Sequence, residues 1–149
     1  RYKARSLIWC CISHAKQNYA KYISRKESGK VLGKKYLHVI RRILMALWVA
    51  RKETDGAEDE AISIWPLPYS IQMQLECIGK DDTDILPQDV RETLEQILSD
   101  TDNREARLGR PTVKIPVFDS FIQRSVKILS DYMKKSSTLE ASFLFIDLN

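Results

Sequence analysis

The stretch GKKYLHVIRRILMALWVARKE, residues 33–53, decides how this chain folds. Tyr36, Val39, Ile40, Ile43, Leu47 and Ala50 recur at intervals of three and four, the spacing of one face of an α-helix. The opposite side starts basic, with Lys34, Lys35, His38, Arg41 and Arg42, and then turns apolar at Met45, Trp48 and Val49. The second half is therefore apolar nearly all round, which predicts a central, buried helix. The basic start opposes the helix dipole, because cations are disfavoured at a helix N-terminus. Either acidic residues elsewhere in the fold offset that cost, or an anionic partner meets it.

Working outward, residues 3–26 carry Leu7, Ile8, Cys11, Ile12, Ala15, Tyr19, Tyr22 and Ile23 on one helical stripe. Ser28-Gly29 ends that helix and Gly33 precedes the next. On the other side, residues 54–61 (TDGAEDEA) read as an acidic loop, and the two prolines of WPLP interrupt regular structure. A short helix is expected over 69–78, followed by a turn at GKDDTD. Pro87 suits the first turn of a helix running to about Ser99, with Val90, Leu94, Ile97 and Leu98 inward. Residues 100–116 read as a connector. A last helix over 117–135 carries Phe118, Phe121, Ile122, Val126, Ile128, Leu129 and Tyr132, with Asp119 at its start and Lys134 and Lys135 at its end, as the dipole favours. The tail, 136–149, reads equally as a short strand or as an added turn. The expected architecture is all-α: one domain over 1–149, a mostly antiparallel bundle of four to five helices.

The totals agree with a folded domain: 149 residues, 44% hydrophobic and 30% charged, suffice for a core. The net charge of +4 hides an uneven distribution. Residues 1–53 hold 14 Lys/Arg against two acids, a net of +12, and residues 54–149 hold 10 against 18, a net of −8. Such asymmetry points to an anionic partner for the first half, or to the two halves pairing with each other. Cys10, Cys11 and Cys77 lack metal-site spacing and make no disulfide framework, so a reducing, cytoplasmic setting is expected. The apolar run 43–50 is too short to span a membrane, so no membrane partner is expected. The chain opens at Arg1 and enters helical sequence directly, as a piece of a longer protein would.

Candidate chemistry is sparse. There is no Gly-rich phosphate loop, no G-x-S-x-G and no H-E-x-x-H. Cys11 and His14 share the i, i+3 spacing of a nucleophile and base, but Cys11 lies on the apolar stripe, where a core cysteine is the simpler reading. Asp81, Asp82 and Asp84 offer oxygen ligands for a divalent cation, but they sit in a polar turn without further ligands, so no metal site is expected. The basic face remains. At about 100° per residue, Lys34, His38, Arg41 and Arg42 fall within about a third of the helix circumference. With the free N–H groups of the first turn they form a phosphate-binding surface.

These residues resemble a family. KKYLHVIRRILMALWV is similar to the C-terminal helical region of nucleotidyltransferases of the DNA polymerase β superfamily, through Lys34, Lys35, Tyr36, Arg41 and Trp48. Three further segments agree in order: HAKQNYAKYI through Ala15, Asn18, Tyr19 and Tyr22; WPLPYSIQMQLE; and RPTVKIPVFDSFI through Pro111, Ile115, Pro116, Asp119, Phe121 and Ile122. Together they cover residues 2–130. The chain departs from the pattern at His38, where Tyr is more usual, at Arg42, where Pro is, and at Leu47, where Arg is. It also has no Gly-Ser pair and no strand bearing D-x-D/E, the catalytic core of the superfamily.

The resemblance implies the helical, substrate-side part of an enzyme whose catalytic domain lies upstream in cis and holds Mg²⁺; this chain itself holds no metal and no catalytic residue. Lys34, Lys35, His38, Arg41 and Arg42 would contact phosphates of a nucleotide triphosphate or of an unknown acceptor, nucleic acid among the candidates. Asn18, Tyr19 and Tyr36 would shape the same cleft wall, although the apolar position of Tyr36 favours packing over stacking. The alternatives are a non-catalytic nucleic-acid-binding module and a protein-interaction bundle with an acidic partner.

Overall fold

The computed structural model describes residues 4–24, 30–54, 68, 70–99 and 111–148, with side chains excepted at 30–32, 111–113 and 136–148. The acidic loop over 55–61, the Ser28-Gly29 break, Tyr69 and most of the 100–116 connector lie outside the described residues.

Among the described residues the chain forms five α-helices: α1 (Ala4–Tyr19), α2 (Gly33–Thr54), α3 (Ile71–Cys77), α4 (Gln88–Ser99) and α5 (Pro116–Leu148). α1 ends in a wider π-type turn over Ala20–Ser24 that carries Ile23 into the core. Ser70 caps α3, its side chain accepting the Met73 N–H at 3.1 Å. The all-α expectation holds, with one addition. Two three-residue strands, β1 (Lys30–Leu32) and β2 (Pro111–Val113), pair antiparallel, with Lys30 opposite Val113. This ribbon ties the entry of α2 to the entry of α5. The tail, open between strand and turn in the sequence, continues α5 as helix to Leu148.

α2 is the central element, and Tyr36, Val39, Ile40, Ile43, Leu44, Met45, Ala46, Trp48 and Val49 are all buried. Leu47 and Ala50, expected inward, are half-buried, and Leu44 and Ala46 take deeper places. α1 lies antiparallel to α2, since its last turns face the first turns of α2 across a shared cleft. α5 runs parallel to α2: Tyr36 meets Asp119 near the start of both helices, and Tyr132 bonds Glu53 near the end of α2. It therefore runs antiparallel to α1, whose Tyr19 donates to Asp119 Oδ1 at 3.1 Å.

Two buried polar residues fasten the smaller helices. Gln74 of α3 donates from Nε2 to the Arg41 carbonyl at 2.8 Å and to the Pro68 carbonyl at 3.0 Å. Arg91 of α4, 3% exposed, donates to the carbonyls of Leu75 (3.1 Å), Ile78 (2.6 Å) and Gly79 (3.3 Å). It thereby satisfies the C-terminal end of α3, where helical carbonyls lack partners. Arg51 leaves α2 toward the acidic turn, 3.6 Å from Asp82 and 3.7 Å from Asp84.

Candidate phosphate-binding cleft

Helical geometry sorts the basic residues of α2 into two rows. Lys34, His38 and Arg41 stand at i, i+4 and i+7, and Lys35, His38 and Arg42 at i, i+3 and i+7, so both rows meet at His38. The structure gives each row its own depression. A cleft of about 100 Å³ is lined by His14, Asn18, Lys35, His38, Arg41 and Arg42, between the last turns of α1 and the first of α2. A wider groove of about 280 Å³ is lined by Lys34, Leu37, His38 and Arg41 of α2, by Ser70, Ile71 and Gln72 at the start of α3, and by Leu98 of α4. His38 and Arg41 belong to both.

Among the described residues the cleft is basic without internal compensation: its lining residues are cations, imidazoles and one amide, with no carboxylate. Among the described residues, no carboxylate oxygen lies within 4 Å of the charged groups of Lys35, Arg41 or Arg42, whereas Arg51 and Arg91 do have carboxylate partners. Lys35 is held from the other side, its Nζ standing 4.0 Å from the centre of the Tyr22 ring, a cation–π contact that leaves its charge intact. The positive charge of Arg42 acts on the buried Cys11 thiol beneath it.

The electrostatics follow from this crowding. Burial, and then the charges of Arg41, Lys35, Lys34 and Arg42, hold His38 below the usual imidazole range, so it is neutral at pH 7. Burial pushes the Cys11 thiol up despite the opposing pull of Arg42. Cys11 is therefore a protonated core thiol and not a thiolate nucleophile, and the Cys11–His14 pair carries no chemistry.

Of the expected wall residues, Asn18 lines the cleft. Tyr19 and Tyr36 line neither depression and instead build a brace at the base of α5. The buried Tyr36 hydroxyl lies 3.0 and 3.1 Å from the two carboxylate oxygens of Asp119 and accepts the Ile115 N–H at 3.2 Å. Tyr19 donates to the same carboxylate and accepts from Gln123 Nε2 at 3.1 Å. Phe118 packs on the Tyr36 ring, centroids 5.5 Å apart. The brace joins α1, α2 and α5 and so sets the spacing of the helices that form the cleft. His14 is the cleft residue that sequence reasoning passed over as a wall. Its signal was present, since it stands four residues before Asn18, off the apolar stripe. The α3 and α4 walls of the groove carry no comparable signal.

Among the described residues, no three His, Cys, Asp or Glu side chains converge on a metal site. Asp82 and Asp84 face Arg51. Among the same residues, no helix is long and apolar enough to cross a membrane. No family model matches this chain, and no curated protein or solved structure does either.

Proposed function

We propose that this chain is the helical, substrate-side domain of a Mg²⁺-dependent nucleotidyltransferase, and that the α1–α2 cleft binds phosphate groups of the nucleotide or of its acceptor. The observation that supports this reading is the cleft itself: Lys35, Arg41 and Arg42 converge with His14, Asn18 and His38 in a concavity that, among the described residues, no carboxylate lines. Two guanidiniums and an ammonium supply charge-assisted donors suited to phosphate oxygens. The opposing dipole at the start of α2 then becomes an asset, since its free N–H groups add to the same positive field. The four ordered segments of family resemblance supply the enzyme class.

The described carboxylates do not form a Mg²⁺ site, so no catalytic step is assigned to these residues; the metal would belong to a catalytic domain in cis. The role assigned to this chain is to bind and orient phosphate, in a reducing, cytosolic setting that suits three free cysteines.

The test is calorimetry of tripolyphosphate and of a nucleoside triphosphate with Mg²⁺, on the chain and on its Lys35→Gln/Arg41→Gln variant. The expected result is binding that weakens at least tenfold in the variant. Unchanged affinity refutes the cleft as the phosphate site. Tight binding of RNA with a steep salt slope, and none of either triphosphate, would assign the basic half to a nucleic-acid module instead.

A further inference from the structure

We infer that His38 is the proton acceptor of this cleft: it takes up a proton as an oxyanion such as phosphate binds, so the site holds its ligand more tightly as pH falls. This rests on the cleft being an anion site and adds a mode of regulation to it.

The placement carries the inference. His38 is the residue at which both basic rows of α2 meet, and it lies on the boundary of cleft and groove. A ligand seated in either depression touches it. Among the described residues, the groups that face it are these. Lys34, Lys35, Arg41 and Arg42 come from its own helix, and His14 and Asn18 from α1 across the cleft. α3 contributes Ser70, Ile71 and Gln72, and α4 contributes Leu98, none of them charged. Among the described residues, every fixed charge around the imidazole is therefore positive, and no carboxylate lines either depression.

A cation added to that set is opposed by four others, which agrees with the downward displacement of His38. A bound dianion reverses the local sign. The imidazolium then gains a partner and becomes a further donor to the ligand. The linkage follows directly. Below the free-state midpoint His38 is charged with or without ligand, and affinity is highest. Between the free and bound midpoints binding takes up a proton, and affinity falls as pH rises. Above the bound midpoint it levels off. Each unit of separation between the two midpoints is a tenfold change in affinity.

Two histidines make this directly observable. Imidazole C–H signals are followed by NMR from about pH 5 to pH 8, an interval spanning the ordinary imidazole midpoint. The titration is run with sulfate, whose own charge is constant over that range, and with chloride at matched ionic strength. His38→Gln assigns the signal. The expected result is a His38 midpoint that rises by about one unit in sulfate and not in chloride, and a roughly tenfold fall in sulfate affinity across the range. In His38→Gln the pH dependence of sulfate affinity shrinks. If sulfate perturbs the α1 and α2 amides around the cleft but leaves the His38 midpoint in place, or moves only that of His14, proton coupling at His38 is overturned and the anion site stands. If sulfate perturbs neither, the anion site itself falls and the coupling falls with it.

Discussion

Removing one oxygen atom from Tyr36 tests whether the brace under α5 holds the bundle together. The ring is buried, so Tyr36→Phe keeps its packing on Phe118 and changes only hydrogen bonding. The hydroxyl donates to the Asp119 carboxylate and accepts the Ile115 N–H. A hydrogen bond to a charged group contributes about 1.5–3 kcal/mol, and a partly buried N–H left without a partner adds about 1 kcal/mol. The variant should therefore lose about 2–4 kcal/mol, a fall in Tm of about 6–12 °C for a chain of this size. Urea denaturation followed by circular dichroism measures the loss. A double-mutant cycle with Asp119→Asn isolates the pair, with a coupling of about 1–2 kcal/mol expected. The brace has a pH signature too. Burial, and after it the bond to Asp119, keep the Tyr36 hydroxyl protonated well above the usual phenol range; Tyr132, buried and bonded to Glu53, is pushed up to about 12. A raised folded-state pKa contributes stability that is present below the unfolded value of about 10 and lost above it, so wild-type stability falls as pH rises past about 10. Tyr36→Phe should soften that fall. A change under about 0.5 kcal/mol, with an unaltered alkaline limb, would refute the brace.

Three further outcomes are expected. Arg91→Met should cost about 2–4 kcal/mol by urea titration, because three carbonyls at the end of α3 lose their donor; Arg91→Lys should recover little of it, since one ammonium cannot replace the guanidinium fork. Arg51→Gln should change stability by no more than about 1 kcal/mol, and less in high salt, because its contacts to Asp82 and Asp84 are long and solvent-screened. In the native chain, a thiol reagent should modify Cys10 and Cys77 quickly and Cys11 only on unfolding, read by mass spectrometry; fast modification of Cys11 would contradict its burial in the core.

The helices were readable because their cores are continuous stripes with clear ends. α2 runs one residue beyond the quoted stretch, and Pro87 stands just before α4, where its fixed backbone angle suits a first turn. The β1–β2 ribbon was not readable: three residues show no period, and the paired positions, from Leu32 with Pro111 to Lys30 with Val113, are 79 to 83 residues apart. The tail was ambiguous because Ser136, Ser137 and Thr138 weaken a helical reading, while the α5 backbone simply continues through them. Ile128, counted among the inward residues, is 51% exposed, because the buried face of α5 follows Phe118, Phe121, Ile122, Ser125, Leu129 and Met133. At the cleft, residues of one helix could be sorted by angle. Contacts between helices could not, so His14, the groove walls on α3 and α4, and the turn of Tyr19 and Tyr36 toward Asp119 needed three dimensions.

The brace also bears on how the chain is made. The cleft residues all lie within the first 54 positions, but the carboxylate that ties α1 to α2 waits at Asp119. During synthesis at roughly 5–20 residues per second, the basic pair of helices exists for several seconds before that anchor leaves the ribosome. In that interval a cationic helical hairpin faces a ribosome coated in RNA phosphate. Completion of α5 is thus the event that converts a merely sticky nascent segment into a cleft of defined width.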